Sequence, residues 1–288
     1  FVQRLGRVTS DFFYSGVFQA GGYKIGYIRI PNYSSLATTV LRQFETEIAY
    51  FQDNTDGLIV DEMRNTGGYL CFGENIVARL VPYPFRATGY LVRAFRGRVN
   101  SFYSALDSAR AQGADQWVID LYEALFQEIF TAYRENRGLT GPVPLCSPSL
   151  DRQPATGPDG KIIAYTKPLM VLVDEFSTST ADSVPAMLQD AGRGLIYGFR
   201  TNGAGGNNTT FYAGAYSEGS TGMTLALMTR KDFVVTPGYP EAPYIENIGV
   251  HPDIVADYMT RDNLLQRGRP FVDGFTAAMV EHIREKGR

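Results

Sequence analysis

The chain has 288 residues, 44% of them hydrophobic, a formal net charge of −3 and two cysteines. That apolar content can bury a full core, as one large domain or two small ones by length, and one large domain is the expectation. The slightly acidic balance gives no basic field for nucleic acid or anionic lipid, and no apolar run approaches a membrane span, so small molecules and polypeptides remain as partners.

The chain begins at Phe1 and not at Met, so residues 1–23 are expected to be the remnant of an upstream segment, ahead of an α/β core over residues 24–288. KIGYIRIP (24–31), short and closed by proline, reads as a buried strand. Leu36, Val40, Leu41, Phe44, Ile48 and Phe51 recur at helical spacing over 35–52. GLIVDE (57–62) is a continuous apolar run suited to a strand covered on both faces, RNTGG turns the chain, and ENIVARLV (74–81) begins another helix. Residues 82–114 show no regular pattern. Trp117, Leu121, Leu125 and Ile129 mark a long helix over 115–137 that Gly138 stops. The Pro-, Gly- and Ser-rich stretch 138–167 is expected to be a surface excursion. PLMVLVDE (168–175) is a second buried strand, TADSVPAMLQDAG a helix, GLIYG a strand, MTLALMTRKDFVV (223–235) a longer strand, and residues 271–286 a closing helix. Strand and helix alternate, which argues for a layered α/β fold. Cys71 and Cys146 lack metal-ligand spacing and are too few for a disulfide framework; two core thiols are expected, with pairing left open.

The chemistry concentrates after the strand 168–175. Ser177, Thr178, Ser179 and Thr180 follow a short turn, and Ser179-Thr180-Ala181-Asp182 has the form of a capping box with Asp in the place of Glu. By itself that is an ordinary helix cap. A serine there can also attack a carbonyl while the next backbone N–H, at the positive end of the helix, donates to the oxyanion. A Gly-Gly pair in RNTGG is in isolation only a turn, and GAGG (203–206) lacks the following Gly-Lys-Ser/Thr of a phosphate loop.

Taken together these segments resemble the tail-specific, or C-terminal-processing, serine peptidases. KPLMVLVDEFSTSTADSVPAMLQDAGRGLIYG is similar to the family's nucleophile region, which places the nucleophile on Ser179. GLIVDEMRNTGG resembles the strand ending in Arg-Asn-x-Gly-Gly, whose amides belong to the oxyanion hole, which implies Gly67 and Gly68 together with Thr180. TNGAGG occupies the slot of Thr-Phe-Gly-Lys-Gly, but Ala204 stands where the base lysine would be. That departure, with YIENIGVHPDI and TRDNL, makes the histidine-dependent branch of the family, which includes the chlamydial protease-like activity factor and the tricorn protease core, the better match. The resemblance then implies Glu246 as the acidic triad member.

A serine needs a base, and neutral imidazole is the usual one near pH 7. The two histidines, His251 and His282, lie outside the family's slot for it, so the resemblance implies that an upstream segment or a second chain supplies the catalytic histidine. It further implies a crotonase/ClpP-like superhelical α/β core, peptide hydrolysis through an acyl-enzyme, no cofactor or metal, and an extracytoplasmic (periplasmic or secreted) location. Two rival readings stand beside it. One is a non-catalytic, protease-like module that binds polypeptide; the other is a crotonase-like acyl-thioester enzyme.

Overall fold

The computed structural model describes residues 1–286. Strands β1 (Val2–Leu5), β2 (Tyr14–Ala20) and β3 (Tyr23–Arg29) form an antiparallel meander. Helix α1 (Thr38–Asn54) leads to β4 (Gly57–Asp61), which α2 (Leu70–Val77) follows. Next come β5 (Phe85–Arg86), β6 (Gly89–Arg93), α3 (Arg96–Ala111), α4 (Gln116–Arg134), β7 (Leu139–Val143), β8 (Asp151–Arg152) and β9 (Leu169–Val173). The chain continues through α5 (Thr180–Asp190), β10 (Leu195–Gly198), the β11 (Asn208–Tyr212) and β12 (Ser220–Thr224) hairpin, and β13 (Ala226–Val234). It closes with β14 (Ala242–Tyr244), β15 (Ile254–Val255), α6 (Arg261–Leu265) and α7 (Arg269–Lys286).

The main sheet has the order β1-β2-β3-β4-β9-β10-β15 and is parallel from β3 onward. Every residue of β4 and β9 is buried, as parallel strands require when both faces are covered. On one face Phe44, Ile48 and Phe51 of α1, Ile76 of α2 and Val184 and Met187 of α5 pack on Leu58, Val60 and Val171. On the other, Phe271, Phe275, Met279 and Ile283 of α7 cover Ile59, Met170 and Leu172. A second, antiparallel sheet, β14-β13-β6-β7, holds α3 and α4 through Tyr90, Val99, Leu121, Leu125 and Ile129. Among the described residues no helix is long and apolar enough to cross a membrane.

The alternation of strand and helix follows the expected order, with local differences. Within residues 1–23, β2 pairs with β3 along its whole length, and Phe13 and Val17 are buried. A break at residue 24 would split one hairpin. The excursion is shorter than 138–167, because Leu139–Val143 pairs with β6 and Tyr165 is fully buried. Cys71 and Cys146 are a disulfide, not two core thiols, and bridge a separation of 75 residues from the first turn of α2 to the excursion. Smaller shifts are local. Leu36 is 72% exposed and precedes α1, α2 begins at Leu70, and α3 forms within a segment with no strong apolar period.

Candidate active site

The carboxyl ends of β4 and β9 lie side by side, and two turns leave them in contact. The turn after β9 is pinned to the one after β4. Ser177 is fully buried and its hydroxyl donates to the Glu62 carbonyl at 2.8 Å; the Thr178 N–H donates to the Asn65 carbonyl at 2.9 Å. Asp174 Oδ1 accepts the Arg64 N–H at 2.9 Å and the Phe176 N–H at 3.1 Å. The chain then enters α5 with Ser179 as N-cap at φ 63° and ψ −115°. That is a left-handed backbone in a non-glycine residue, which costs about 1–3 kcal/mol and persists only where its surroundings enforce it. The enforcement comes from Asp182, whose Oδ2 accepts the Ser179 N–H at 2.7 Å, while the Asp182 N–H donates to the Ser179 carbonyl at 2.8 Å. The expected capping box is therefore present, and its strong half is the acid holding the serine backbone, which leaves Ser179 half-buried at the head of the helix.

The turn after β4 is built to touch that serine. A side chain on Gly67, at φ 83°, would meet Thr178 O at 2.5 Å, Ser179 Cβ at 2.7 Å and Thr180 N at 2.9 Å. Gly68, at φ 145°, lies equally close to the Tyr33 backbone. The Gly67 N–H donates to Asn65 Oδ1 at 2.8 Å, so it is already engaged. Among the described residues neither the Gly68 N–H nor the Thr180 N–H has an acceptor. Both belong to backbone beside Ser179, and the Thr180 N–H heads α5, where the helix dipole favours negative charge. Of the three expected positions, Gly68 and Thr180 have N–H groups without an acceptor among the described residues, and Gly67 supplies the close approach.

Asp182 also ties the site to the third segment. Its carboxylate accepts the Gly203 N–H at 2.8 Å and the Ala204 N–H at 3.2 Å. The Gly203 carbonyl in turn takes the Asn247 N–H at 2.7 Å. Glu246 is thus brought to the same end of the sheet. It is 7% exposed, its Oε2 accepts the Met228 N–H at 2.7 Å, and its Oε1 is buried without a partner against Gly206. Burial pushes the Glu246 carboxyl up to about 7, with Asp182 adding repulsion. Burial also raises Asp182. Tyr90, on β6, faces both acids and Glu74.

Neither histidine reaches Ser179. The His251 carbonyl accepts from Gln189 at the far end of α5, about 15 Å along the helix from its N-cap. His282 is on α7 beside the Leu169 backbone, at the start of β9 and so at the opposite end of the strand from the serine. Ala204 has no side chain to accept a proton. A cavity of about 740 Å³ under α7, lined by Tyr14, Phe18, Tyr27, Phe271 and Phe275, is on the other face of the sheet and contains none of these groups. Among the described residues no cluster of His, Cys, Asp or Glu is arranged to hold a metal ion. Sequence reasoning missed three parts of this arrangement: Asp182 as the link between segments, Asn65 as the acceptor that fixes Gly67, and Tyr33, whose backbone cradles Gly68. Asn65, in the quoted Arg-Asn-x-Gly-Gly, was the one with a visible signal.

Residues 24–256 match peptidase family S41. A protein of Chlamydia trachomatis is 27% identical over 286 residues, covering 92% of this chain and 46% of its own length. The chloroplastic C-terminal processing peptidase of Tetradesmus obliquus is 26% identical over 238 residues, covering 83% of this chain and 36% of the relative. The crystal structure of mature CPAF shares the fold, with a TM-score of 0.75 and 24% identity over 96% of this chain and 55% of that one. The chain spans about half the length of the curated relatives it matches.

Proposed function

The chain belongs to peptidase family S41, and from that premise we propose that it is the catalytic core of a serine peptidase in which Ser179 is the nucleophile. The observation that carries the proposal is Ser179 itself: a strained N-cap beside two backbone donors, Gly68 and Thr180, that have no acceptor of their own. The Ser179 hydroxyl attacks the scissile carbonyl, its proton passes to a histidine, and the oxyanion takes hydrogen bonds from the Gly68 and Thr180 amides. Collapse of the tetrahedral intermediate breaks the C–N bond, with the histidine proton going to the departing amine. Water then repeats the sequence on the acyl-enzyme and frees Ser179.

Glu246 orients that histidine. Its orphan Oε1 is a buried acceptor that an imidazole N–H would satisfy, and such a donor would restore the carboxylate charge that burial opposes. Since His251 and His282 both sit away from Ser179, the histidine comes from outside these 288 residues, on a preceding segment or a second chain. Polypeptide is the substrate class, the core is of the crotonase/ClpP-like superhelical type, and the location is extracytoplasmic. The Cys71–Cys146 disulfide supports that location, since such bonds persist in oxidising compartments. Family membership disfavours the acyl-thioester alternative.

A fluorophosphonate probe tests the reading. Ser179 should label slowly in the chain alone and faster when free imidazole is added, with a rate that rises through about pH 6–7 as imidazole loses its proton. Ser179→Ala should not label, and Glu246→Gln should lose most of the imidazole stimulation. An unlabelled Ser179 under both conditions would overturn the assignment.

A further inference from the structure

Glu62 directly follows β4, two residues before Arg64 of the Arg-Asn-x-Gly-Gly turn, and has a fully buried side chain. A fully buried position at the end of a parallel strand normally takes an apolar residue. Here the carboxyl receives the Tyr33 hydroxyl through Oε1, and its Oε2 is buried with no partner. Tyr33 is fully buried as well.

Three sets of hydrogen bonds meet at this pair. The Glu62 carbonyl accepts the Ser177 hydroxyl at 2.8 Å from the nucleophile turn and the Asn65 N–H at 3.2 Å from the glycine turn. The Tyr33 N–H donates to the Gly67 carbonyl at 2.8 Å, and the Tyr33 carbonyl accepts the Tyr69 N–H at 2.9 Å, so Tyr33 grips the residues on both sides of Gly68. The Tyr33 backbone also forms the surface that a Cβ on Gly68 would strike at 2.3 Å. The hydroxyl-to-carboxyl bond therefore closes a loop of contacts from Ser177 through Glu62 and Tyr33 to Gly68.

We propose that Tyr33 and Glu62 are positioning residues for the peptidase site, holding the Gly68 amide in register with Ser179, and that Glu62 performs this role as a neutral carboxylic acid. The proposal rests on the assignment of Ser179 and Gly68 made above. A neutral acid is the form the surroundings favour. Facing Glu62 are the Tyr33 phenol from the segment after β3, Asp61 at the end of β4 and Asp182 of α5, with Asp174 just after β9 bonded to the Ser177 hydroxyl. Burial pushes the Glu62 carboxyl up to about 8 against the lowering effect of the Tyr33 hydroxyl, with Asp61 and Asp182 adding to the rise. Ionisation would put a buried negative charge beneath an oxyanion hole, where it opposes the charge that develops in the transition state.

The test is fluorophosphonate labelling of Ser179 in the imidazole-supplemented chain, followed against pH, with thermal unfolding of each variant as the control for folding. Tyr33→Phe keeps the buried ring and removes only the tie, and should label at least about tenfold more slowly, in line with one misplaced oxyanion donor, at a temperature where the variant, though destabilised by about 1–3 kcal/mol, is still fully folded. Glu62→Gln keeps an acceptor for the Tyr33 hydroxyl and cannot ionise. It should label within about threefold of the parent at pH 7 and should lack the decline above about pH 8 that the parent shows. If the parent labels and Tyr33→Phe matches it, or Glu62→Gln retains the alkaline decline, the positioning role is overturned while the nucleophile assignment stands. If the parent does not label, the peptidase reading fails and this inference fails with it.

Discussion

At Ser179 the backbone carries strain that an ordinary helix cap has no need of. A cap works at extended φ and ψ, whereas this residue sits at φ 63° and ψ −115°, with Asp182 holding its N–H and the side-chain-free Gly67 leaving room for its Cβ. Exchanging the side chain should therefore separate function from stability. Ser179→Ala should abolish probe labelling and leave the strain in place. Ser179→Gly should also be unreactive, yet raise the unfolding free energy by about 1 kcal/mol, since glycine adopts positive φ without penalty while adding some chain entropy. Denaturant titration of the two variants measures the difference, and equal stability would show that the surroundings, not the residue, absorb the strain. Ser177 behaves in the opposite way. Its hydroxyl is a buried pin between Asp174 and the Glu62 carbonyl, so Ser177→Ala should lower stability by about 1–3 kcal/mol but keep a labelled Ser179. Gly67→Ala must push Thr178 and Ser179 away and should lose both stability and labelling.

At the scale of elements, the Cys71–Cys146 bond joins the start of α2, just past Gly68, to the excursion between β7 and β9. It restrains a loop with a separation of 75 residues, for which the chain-entropy relation gives about 4 kcal/mol. Reduction, or Cys71→Ser with Cys146→Ser, should lower stability by about 2–4 kcal/mol. Limited proteolysis should then cut first within 144–163, a stretch that has only the short β8 and otherwise few pairings to hold it. If reduction left both the unfolding midpoint and the cleavage pattern unchanged, the bridge would be a passive ornament of a loop already fixed by Ala155 and Tyr165, whose N–H groups donate to the Ala78 and Arg79 carbonyls.

Across the whole molecule, buried acids set the dependence of stability on pH. Burial raises Glu62 from 4.5 to about 8, and Glu74 and Glu246 from 4.5 to about 7. The native state therefore binds more protons than the unfolded chain between those limits. The contribution is fully present below pH 4.5 and is lost as pH rises through about 7 to 8. His282, lowered by burial, acts the other way: its contribution is full above 6.5 and is lost as pH falls. With these three acids and Asp182, which burial also raises, against one histidine, the isolated chain should melt at a higher temperature at pH 5.5 than at pH 8.5. Glu74→Gln should flatten the slope, since Arg152 Nη1 at 3.4 Å leaves Glu74 Oε2 without a hydrogen bond. A melting temperature that instead rises with pH would mean that these carboxyls are ionised and paired in solution.

What the sequence determined by itself was local: the apolar runs of β3, β4 and β9, the periodic faces of α1 and α4, and the hydroxyl run ending at a helix start are patterns within a few residues, and each formed its element at or near the expected place. The turn after β9 and the Gly-Gly turn were legible for the same reason. The tertiary structure decided what depends on residues far apart in the chain. It enrolled residues 1–23 in the sheet, paired two cysteines that spacing could not pair, and formed α3 where packing on α4 makes up for a weak apolar period. It also turned Asp182 from a cap into the link between Ser179 and the Gly203–Ala204 amides, and gave Glu62 and Tyr33 to each other. No local pattern encodes such pairings, because a buried polar group is stable only when the fold brings its partner to it.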